Sequence, residues 1–365
     1  MIIRDITIKE LPAFMDSELY KGSRVIPVTP ERAVSHVNNP RAQADDVVLI
    51  VAYTEEGRLA GFAGMLPDTG QSKEGLYRFA WNSGWWVDPQ WGRGVALDLF
   101  FRSIQAWMGQ YMIADLTPHT RKIVALTNLF YFTDPDNGVR FQILSDFAGK
   151  FRRKYSCSPV LTGLFACIDR CINSILHYRL RCWEKRTETE DIKIEDIPDF
   201  DSDCLRFIEE HSHDELSRRS EAEFRWIFSY PWLVKGSSAT SRNQYPFSWK
   251  CMHFEYRRIK ITARGEIAGI VMFTNREGLF KIPYAYYDPD RIHIFSRAVC
   301  RHLIDGKASG FLTSRRQLID TMEKDAFPVF YTKSFIHEIA VSKDISQRRP
   351  EKYRVQEGDG DAVFT

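Results

Sequence analysis

Three stretches of this sequence return later in the chain, in the same order. Ile6-Thr-Ile-Lys-Glu-Leu-Pro-Ala-Phe14 comes back as Ile192-Lys-Ile-Glu-Asp-Ile-Pro-Asp-Phe200, Gly57-Arg-Leu-Ala-Gly61 as Gly265-Glu-Ile-Ala-Gly269, and Val87-Asp88-Pro89 as Tyr287-Asp288-Pro289. The first pair reads as a short alternating strand that opens a helix with Pro in its first turn. The second reads as a hairpin whose turn glycine tolerates positive φ. The third ends a strand ahead of an amphipathic helix. Serial matches on like elements imply a duplicated domain, and 365 residues give length for two.

Periodicity around these landmarks predicts strands at 2–8, 47–54, 59–66, 77–87, 111–116, 129–134 and 139–145. Helices are expected at 9–20, 30–38, 92–108 and 119–128. The second copy is expected to repeat the plan, with helices at 197–210, 220–229, 291–304 and 315–324. Its strands fall at 191–195, 251–263, 267–274, 280–287, 309–313, 328–332 and 335–342. This mixed order makes an α/β fold of two mixed-sheet domains. The expected boundaries are 1–155 and 188–345, joined by an amphipathic helix over 156–187, with a polar, disordered tail at 346–365. In that helix Leu161, Leu164, Phe165, Ile168, Cys171, Ile172, Ile175 and Leu176 form the apolar side, expected to dock on a domain, with Cys167 and Cys171 as small core residues. A membrane-surface helix is the lesser reading.

The segment from Trp85 to Phe100 carries the most chemistry. An apolar strand ends at Val87, Asp88-Pro89 turns, and Trp91-Gly92-Arg93-Gly94-Val95-Ala96 opens a helix. Glycines at 92 and 94 allow close backbone approach, and free N–H groups at a helix start suit a pyrophosphate. Arg93 adds a charge-assisted contact. The second copy has Asp288-Pro-Asp-Arg-Ile-His there, without glycine and with an anion-repelling Asp290.

This strand, turn and helix resemble the coenzyme A-binding motif of the GNAT (Gcn5-related N-acetyltransferase) superfamily, a Val-x-Pro strand end followed by Arg/Gln-x-x-Gly-x-Gly/Ala. Trp91 replaces the first residue of that loop, and the spacing from Pro89 is one residue short. The resemblance covers about residues 1–150 and implies two GNAT-like domains in tandem, the second degenerate. It implies acetyl-CoA or another acyl-CoA as co-substrate, held by Val87, Trp91, Gly92, Arg93, Gly94, Val95 and Ala96. Acyl transfer to an amine of a small molecule follows, an amino sugar or related metabolite being the first choice. The alternative is a non-catalytic binding or scaffold protein of the same fold. Backbone N–H groups near Val87 would polarise the thioester carbonyl.

Proton transfer is less well marked. The family's tyrosine on the helix after the fifth strand is missing from Thr120–Asn128, and Tyr131 falls on the next strand. His119 and Asp115, at the strand-to-helix junction, are the candidate bases. His211-x-His213 lacks a third ligand, so no metal is expected. Arg218, Arg219, Trp226 and Tyr230-Pro-Trp232 form a basic and aromatic cluster assigned to the second copy.

A net charge of +2 gives no general argument for nucleic acid. Seven scattered cysteines, no leader-like start and no uninterrupted apolar run of spanning length lead to a cytoplasmic protein without an integral membrane segment. A homodimer is compatible with this reading. The run Lys150, Arg152, Arg153, Lys154 reads as a solvated face or linker.

Overall fold

The computed structural model describes residues 1–72, 75–114, 116–133, 136–154, 159–187, 192–236, 244–347 and 353–365. They form two compact units, neither a contiguous half of the chain. Unit 1 comprises Met1–Pro135, Ser212–Phe254 and Glu338–Thr365; unit 2 comprises Asp136–His211 and Glu255–His337.

In chain order, the first part of unit 1 holds β1 (Ile2–Thr7), α1 (Leu11–Asp16), α2 (Glu18–Lys21), α3 (Pro30–Val37), β2 (Val47–Tyr53), β3 (Leu59–Ser72), β4 (Gly75–Val87), α4 (Gly92–Ala106), β5 (Tyr111–Ile113), α5 (Pro118–Thr127) and β6 (Phe130–Phe132). Unit 2 begins with β7 (Asp136–Gln142), α6 (Phe147–Lys154), α7 (Pro159–Thr187), β8 (Ile192–Asp196) and α8 (Ser202–Glu210). The chain re-enters unit 1 through α9 (Glu221–Ser229), β9 (Val234–Lys235) and β10 (Lys250–Cys251). It returns to unit 2 with β11 (Phe254–Ala263), β12 (Glu266–Arg276), β13 (Leu279–Tyr287), α10 (Ile292–Asp305), β14 (Gly310–Thr313), α11 (Arg316–Lys324) and β15 (Tyr331–His337). It closes in unit 1 with β16 (Ala340–Ser342) and α12 (Lys343–Ser346).

Each unit is built on a seven-stranded mixed sheet, ordered β1-β2-β3-β4-β5-β16-β6 in unit 1 and β8-β11-β12-β13-β14-β7-β15 in unit 2. Matching the two orders shows a reciprocal exchange. The place between the fifth and last strands is filled in each sheet by a strand from the other half of the sequence. β16 pairs antiparallel with both β5 and β6, and β7 with both β14 and β15. The repeated landmarks coincide in register: Gly61 faces Val87 across β3–β4, and Gly269 faces Tyr287 across β12–β13. Gly57 and Gly265 both sit at hairpin turns with φ of +79° and +82°.

Alternation along the strands feeds two cores in unit 1, one on each face of its sheet. Ile50, Ala52, Leu99, Phe100 and Tyr111 pack beneath α4 and α5, while Leu49, Val51, Phe62, Leu11 and Phe14 pack beneath α1–α3. Truncating a fully buried residue such as Leu99 to Ala costs about 2–5 kcal/mol. In unit 2 the core under α10 and α11 gathers Phe273, Phe280, Phe295, Val299 and Leu318, and α7 contributes Leu180 and Trp183.

Several expectations change. The boundaries at 155 and 188 give way to interleaved segments, because strand pairing and buried ion pairs act between residues far apart in sequence. Residues 353–365 of the expected disordered tail are packed into unit 1, with Gln356, Asp359, Val363 and Phe364 buried; residues 348–352 lie outside the described residues. Polarity misled there because Asp359 is paired with Arg219. The β3–β4 hairpin runs on to Ser72 and Gly75, six residues beyond the expected end of the first strand and two before the expected start of the second. Lys150–Lys154 falls within a helix, and the strands expected at 328–332 and 335–342 form as β15 at Tyr331–His337 and β16 at Ala340–Ser342. α7 exists, but its buried side is Asp169, Leu176, Leu180, Trp183 and Thr187. Cys167 and Cys171 are therefore exposed and not core residues, and so are Leu161, Leu164, Ile168 and Ile175.

Candidate active site

The site is built where β4 parts from β5. Along one edge β4 stays paired with β3 as far as Val87. Along the other it pairs in parallel with β5 only at Ala80–Tyr111 and Trp81–Met112 among the described residues. β5 ends at Ile113 while β4 runs on to Val87, so beyond Trp81–Met112 no further β4–β5 pair forms among the described residues, and the unpaired edge there is the candidate notch at the C-terminal end of β4. Notches of this kind, beyond the carboxyl ends of parallel strands, are where α/β sheets accept ligands.

A bulge shapes the wall of the notch. Ala63 faces Trp85 and Met65 faces Asn82, so Ser83 and Gly84 together oppose Gly64. Gly84 takes φ of +94°, and a Cβ on Gly64 would lie 2.4 Å from the Ser83 carbonyl oxygen. The extra residue re-aims the strand, as bulges beside active sites do. Below it, Asn82 donates to the Tyr111 hydroxyl at 2.9 Å, and burial pushes that phenol up to about 12.

The turn after β4 brings the sequence-named residues together. Asp88 Oδ1 accepts from the Gln90 N–H at 3.0 Å and its carbonyl from Trp91 N–H at 2.9 Å, closing the turn. Gly92 then enters α4 with φ of +64°. An added Cβ would meet no protein atom within 4 Å at Gly92 or at Gly94. The indole of Trp91, at the N-cap, offers no acceptor to the first-turn N–H groups. The result is an uncapped, open helix start whose dipole favours an anion. Val87 and Ala96 are half-buried and Trp91 is exposed. Val95 turns its side chain into the core, so only its backbone borders the opening. Its first-turn N–H groups therefore have open space beside them and no capping side chain, a setting that suits an anion.

Unit 2 has the same parting, with β13 paired to β14 only at Leu279–Lys281 among the described residues. Its helix start differs. Asp288 accepts from the Asp290 N–H at 2.9 Å and pairs with Arg291, which also binds Glu266 at 2.6 Å. No left-handed glycine opens α10.

Of the candidate bases, His119 is exposed in the first turn of α5, where Thr117 caps the Thr120 N–H; Asp115 lies outside the described residues. Tyr131 sits on β6 opposite Val341, as its sequence position implied. Among the described residues no group of three His, Cys, Asp or Glu side chains is placed to hold a metal. The basic and aromatic cluster belongs to unit 1, not to the second unit, and its Arg219 is buried against Asp68.

Sequence reasoning missed the polar group beside the bulge. Ser83 Oγ donates to Asp361 at 3.1 Å, and Arg32 reaches both Ser83 oxygens at 3.4 Å and Asp361 at 3.9 Å. Arg32 also stacks over Trp232, 4.1 Å from its centroid. Burial, with Arg32 alongside, holds the His36 imidazole down to about 3, so it is neutral. Phe364 stacks on Trp232 at 4.3 Å and fixes the C-terminal segment here. Ser83 and Asp361 are 278 residues apart, and no local pattern links them.

Solved structures similar to this chain in fold include N-acyltransferases by name. The chain aligns over 93% of its length with 82% of Saccharomyces cerevisiae N-myristoyltransferase with bound myristoyl-CoA, at 10% identity and a TM-score of 0.51. It aligns over 94% with 73% of a probable N-acyltransferase from Enterococcus faecalis V583, at 11% identity and a TM-score of 0.51. A GCN5-related N-acetyltransferase from Anabaena variabilis is similar over 93% of this chain and 72% of its own, with 8% identity and a TM-score of 0.48. The chain has the tandem GNAT fold. No protein-family model and no curated protein matches the sequence. The expected fold class of two mixed-sheet GNAT-like domains thus stands, with the strand exchange added to it.

Proposed function

We propose that this protein is an acyl-CoA-dependent N-acyltransferase whose reaction takes place in unit 1. The observation that carries the proposal is the open, glycine-built start of α4 beside the parted strands β4 and β5. The N–H groups of Gly92, Arg93 and Gly94 would hold the pyrophosphate of coenzyme A, with Val87, Trp91, Val95 and Ala96 bordering it. The acyl-pantetheine would enter the notch, and backbone N–H groups of the β4 end near Val87 would polarise the thioester carbonyl. Binding of myristoyl-CoA by the yeast structure of the same fold supports an acyl-CoA ligand.

The acceptor is proposed to be a primary amine of a small molecule, an amino sugar or related metabolite. Its nitrogen attacks the thioester carbon, the C–S bond breaks, and the ammonium proton passes to a base. His119 and Asp115 keep that role in the proposal because they follow β5, the strand that pairs with β4, in the sequence. Unit 2, with Asp288 and Asp290 at the corresponding turn, would not bind coenzyme A and would serve a structural or acceptor-shaping part.

The test is release of free thiol from acetyl-CoA and longer acyl-CoAs across a panel of amines. Thiol release that depends on both amine and intact Gly94 supports transfer. Binding of acyl-CoA without thiol release by any amine supports a non-catalytic member of the fold.

A further inference from the structure

α7 of unit 2 presents a face that is both apolar and cationic. α7 is tied down along one side: Leu176, Leu180 and Trp183 are buried, and the Trp183 indole donates to the Asp325 carbonyl at 2.9 Å. Midway, the Asp169 carboxylate accepts from Ser145 Oγ at 2.5 Å and from the N–H groups of Phe147 and Ala148 at 2.9 Å. Next to this buried side runs a second stripe at spacings of three and four: Val160, Leu164, Ile168, Cys171, Ile175, Tyr178 and Cys182. All are exposed, Val160 at 79%, Leu164 at 56%, Ile175 at 65% and Tyr178 at 70%. A contiguous apolar stripe of that length marks a surface that meets something other than water.

Charge identifies the partner. Residues 147–187 hold nine Lys or Arg against two carboxylates, a net of +7 in a chain whose total is +2. Arg170, Arg179, Arg181, Lys185 and Arg186 are exposed along α7, and the α6 sequence adds Lys150, Arg152, Arg153 and Lys154. Residues Val160–Thr187 are long and apolar enough, by length and composition, to cross a bilayer. The anchored Asp169 and Trp183 instead hold the helix flat on its unit.

We propose that this face docks on an anionic membrane surface, with α7 lying in the interface and its exposed stripe among the acyl chains. The flanking cations then meet lipid phosphates, the arrangement that holds amphipathic helices on membranes. A second copy of the chain fits the face poorly, since it would set one cationic surface against another. Nucleic acid would use the cations but leave the apolar stripe in water.

The test is co-sedimentation of the full chain with phosphatidylglycerol–phosphatidylcholine vesicles, compared with phosphatidylcholine alone. The expected result is pelleting with the anionic vesicles only, weakened by salt. Leu164→Asp/Ile175→Asp and, separately, Arg181→Glu/Lys185→Glu should each lower the partition coefficient about tenfold or more. All four positions are exposed, and an unchanged far-UV circular dichroism spectrum checks the fold. No pelleting with anionic vesicles overturns the proposal. So does pelleting that Leu164→Asp/Ile175→Asp leaves unaltered, which would mean charge attraction alone. A stable dimer in sedimentation velocity that the same pair dissociates, without vesicle binding, assigns the stripe to self-association and also overturns it.

Discussion

Asp68 on β3 accepts two parallel hydrogen bonds from Arg219, at 3.0 and 2.9 Å, although 151 residues separate them. Arg219 continues to Asp359 at 3.0 Å, and Arg41, Ser217 and the Trp81 indole complete the shell around Asp68. Three separate stretches of the chain meet at this buried pair, and unit 1 is closed by it. Breaking one side of a buried pair strands the other charge. Asp68→Asn should therefore destabilise unit 1 by about 3–5 kcal/mol, read as a lower midpoint in urea.

The same pair predicts an acid limb. Burial alone would raise the Asp68 carboxyl, but Arg219 and Arg41 and their hydrogen bonds outweigh it and hold it well below the usual range. A carboxylate depressed in the folded state stabilises above its unfolded pKa of about 3.9 and loses that contribution as pH falls below it. Asp359 has the opposite sign, since burial raises it despite Arg219. Its contribution is present below about 3.9 and is lost as pH rises through its folded value. Asp68→Asn should flatten the loss of stability below about pH 4.

Two buried histidines set a milder and earlier pH dependence. Burial holds His36 down at about 3 and His302 at about 4. A base depressed in the folded state stabilises above its unfolded value of about 6.5, and the benefit falls away as pH drops toward the folded value. Between pH 6.5 and 5 each contributes a loss of about 2 kcal/mol. Urea midpoints across that range should fall with pH, and His36→Gln/His302→Gln should remove most of the slope.

The strand exchange predicts which fragments fold. A chain ending at residue 155 keeps β7 without β14 and β15, and leaves β5 and β6 without β16. Such a fragment exposes unpaired strand edges and should aggregate or remain unfolded. Co-expression with residues 156–365 should restore a soluble complex with the circular dichroism of the intact chain.

Much of this was legible in the sequence, and the failures share a cause. The pattern from Tyr77 to Ala106 gave strand, turn and helix, because alternation and glycine placement are local. The landmarks at Gly61 and Gly269 pointed to equivalent register positions. Strand exchange was not legible, since β7 and β16 look like ordinary final strands of their own halves. Asp68, Arg219 and Asp359 lie in three separate stretches of sequence, and only the fold brings them together. In α7 the apolar residues outnumber the places available for them in the core, so periodicity named a face without saying which side was buried. Likewise Arg32, Ser83 and Asp361 are unremarkable one by one.

At the helix start, stability and binding should separate. Gly94→Ala places a methyl in open space at a helical position, and should stabilise the unliganded protein by about 0.5–1 kcal/mol. Gly92→Ala forces φ of +64° on a residue with a Cβ, and should cost about 1–2 kcal/mol. Both should weaken acetyl-CoA binding, which denaturation with and without the ligand would show.

Coenzyme binding at Gly92 and Gly94 is measured most directly by thermal shift with acetyl-CoA on wild type and Gly94→Glu. Binding to the folded state raises the melting temperature by mass action. The expected result is a concentration-dependent rise for wild type and none for Gly94→Glu, whose unliganded melting temperature stays close to wild type. An equal rise in both would place the ligand elsewhere, and no rise in wild type at saturating acetyl-CoA or longer acyl-CoA would contradict the acyltransferase reading.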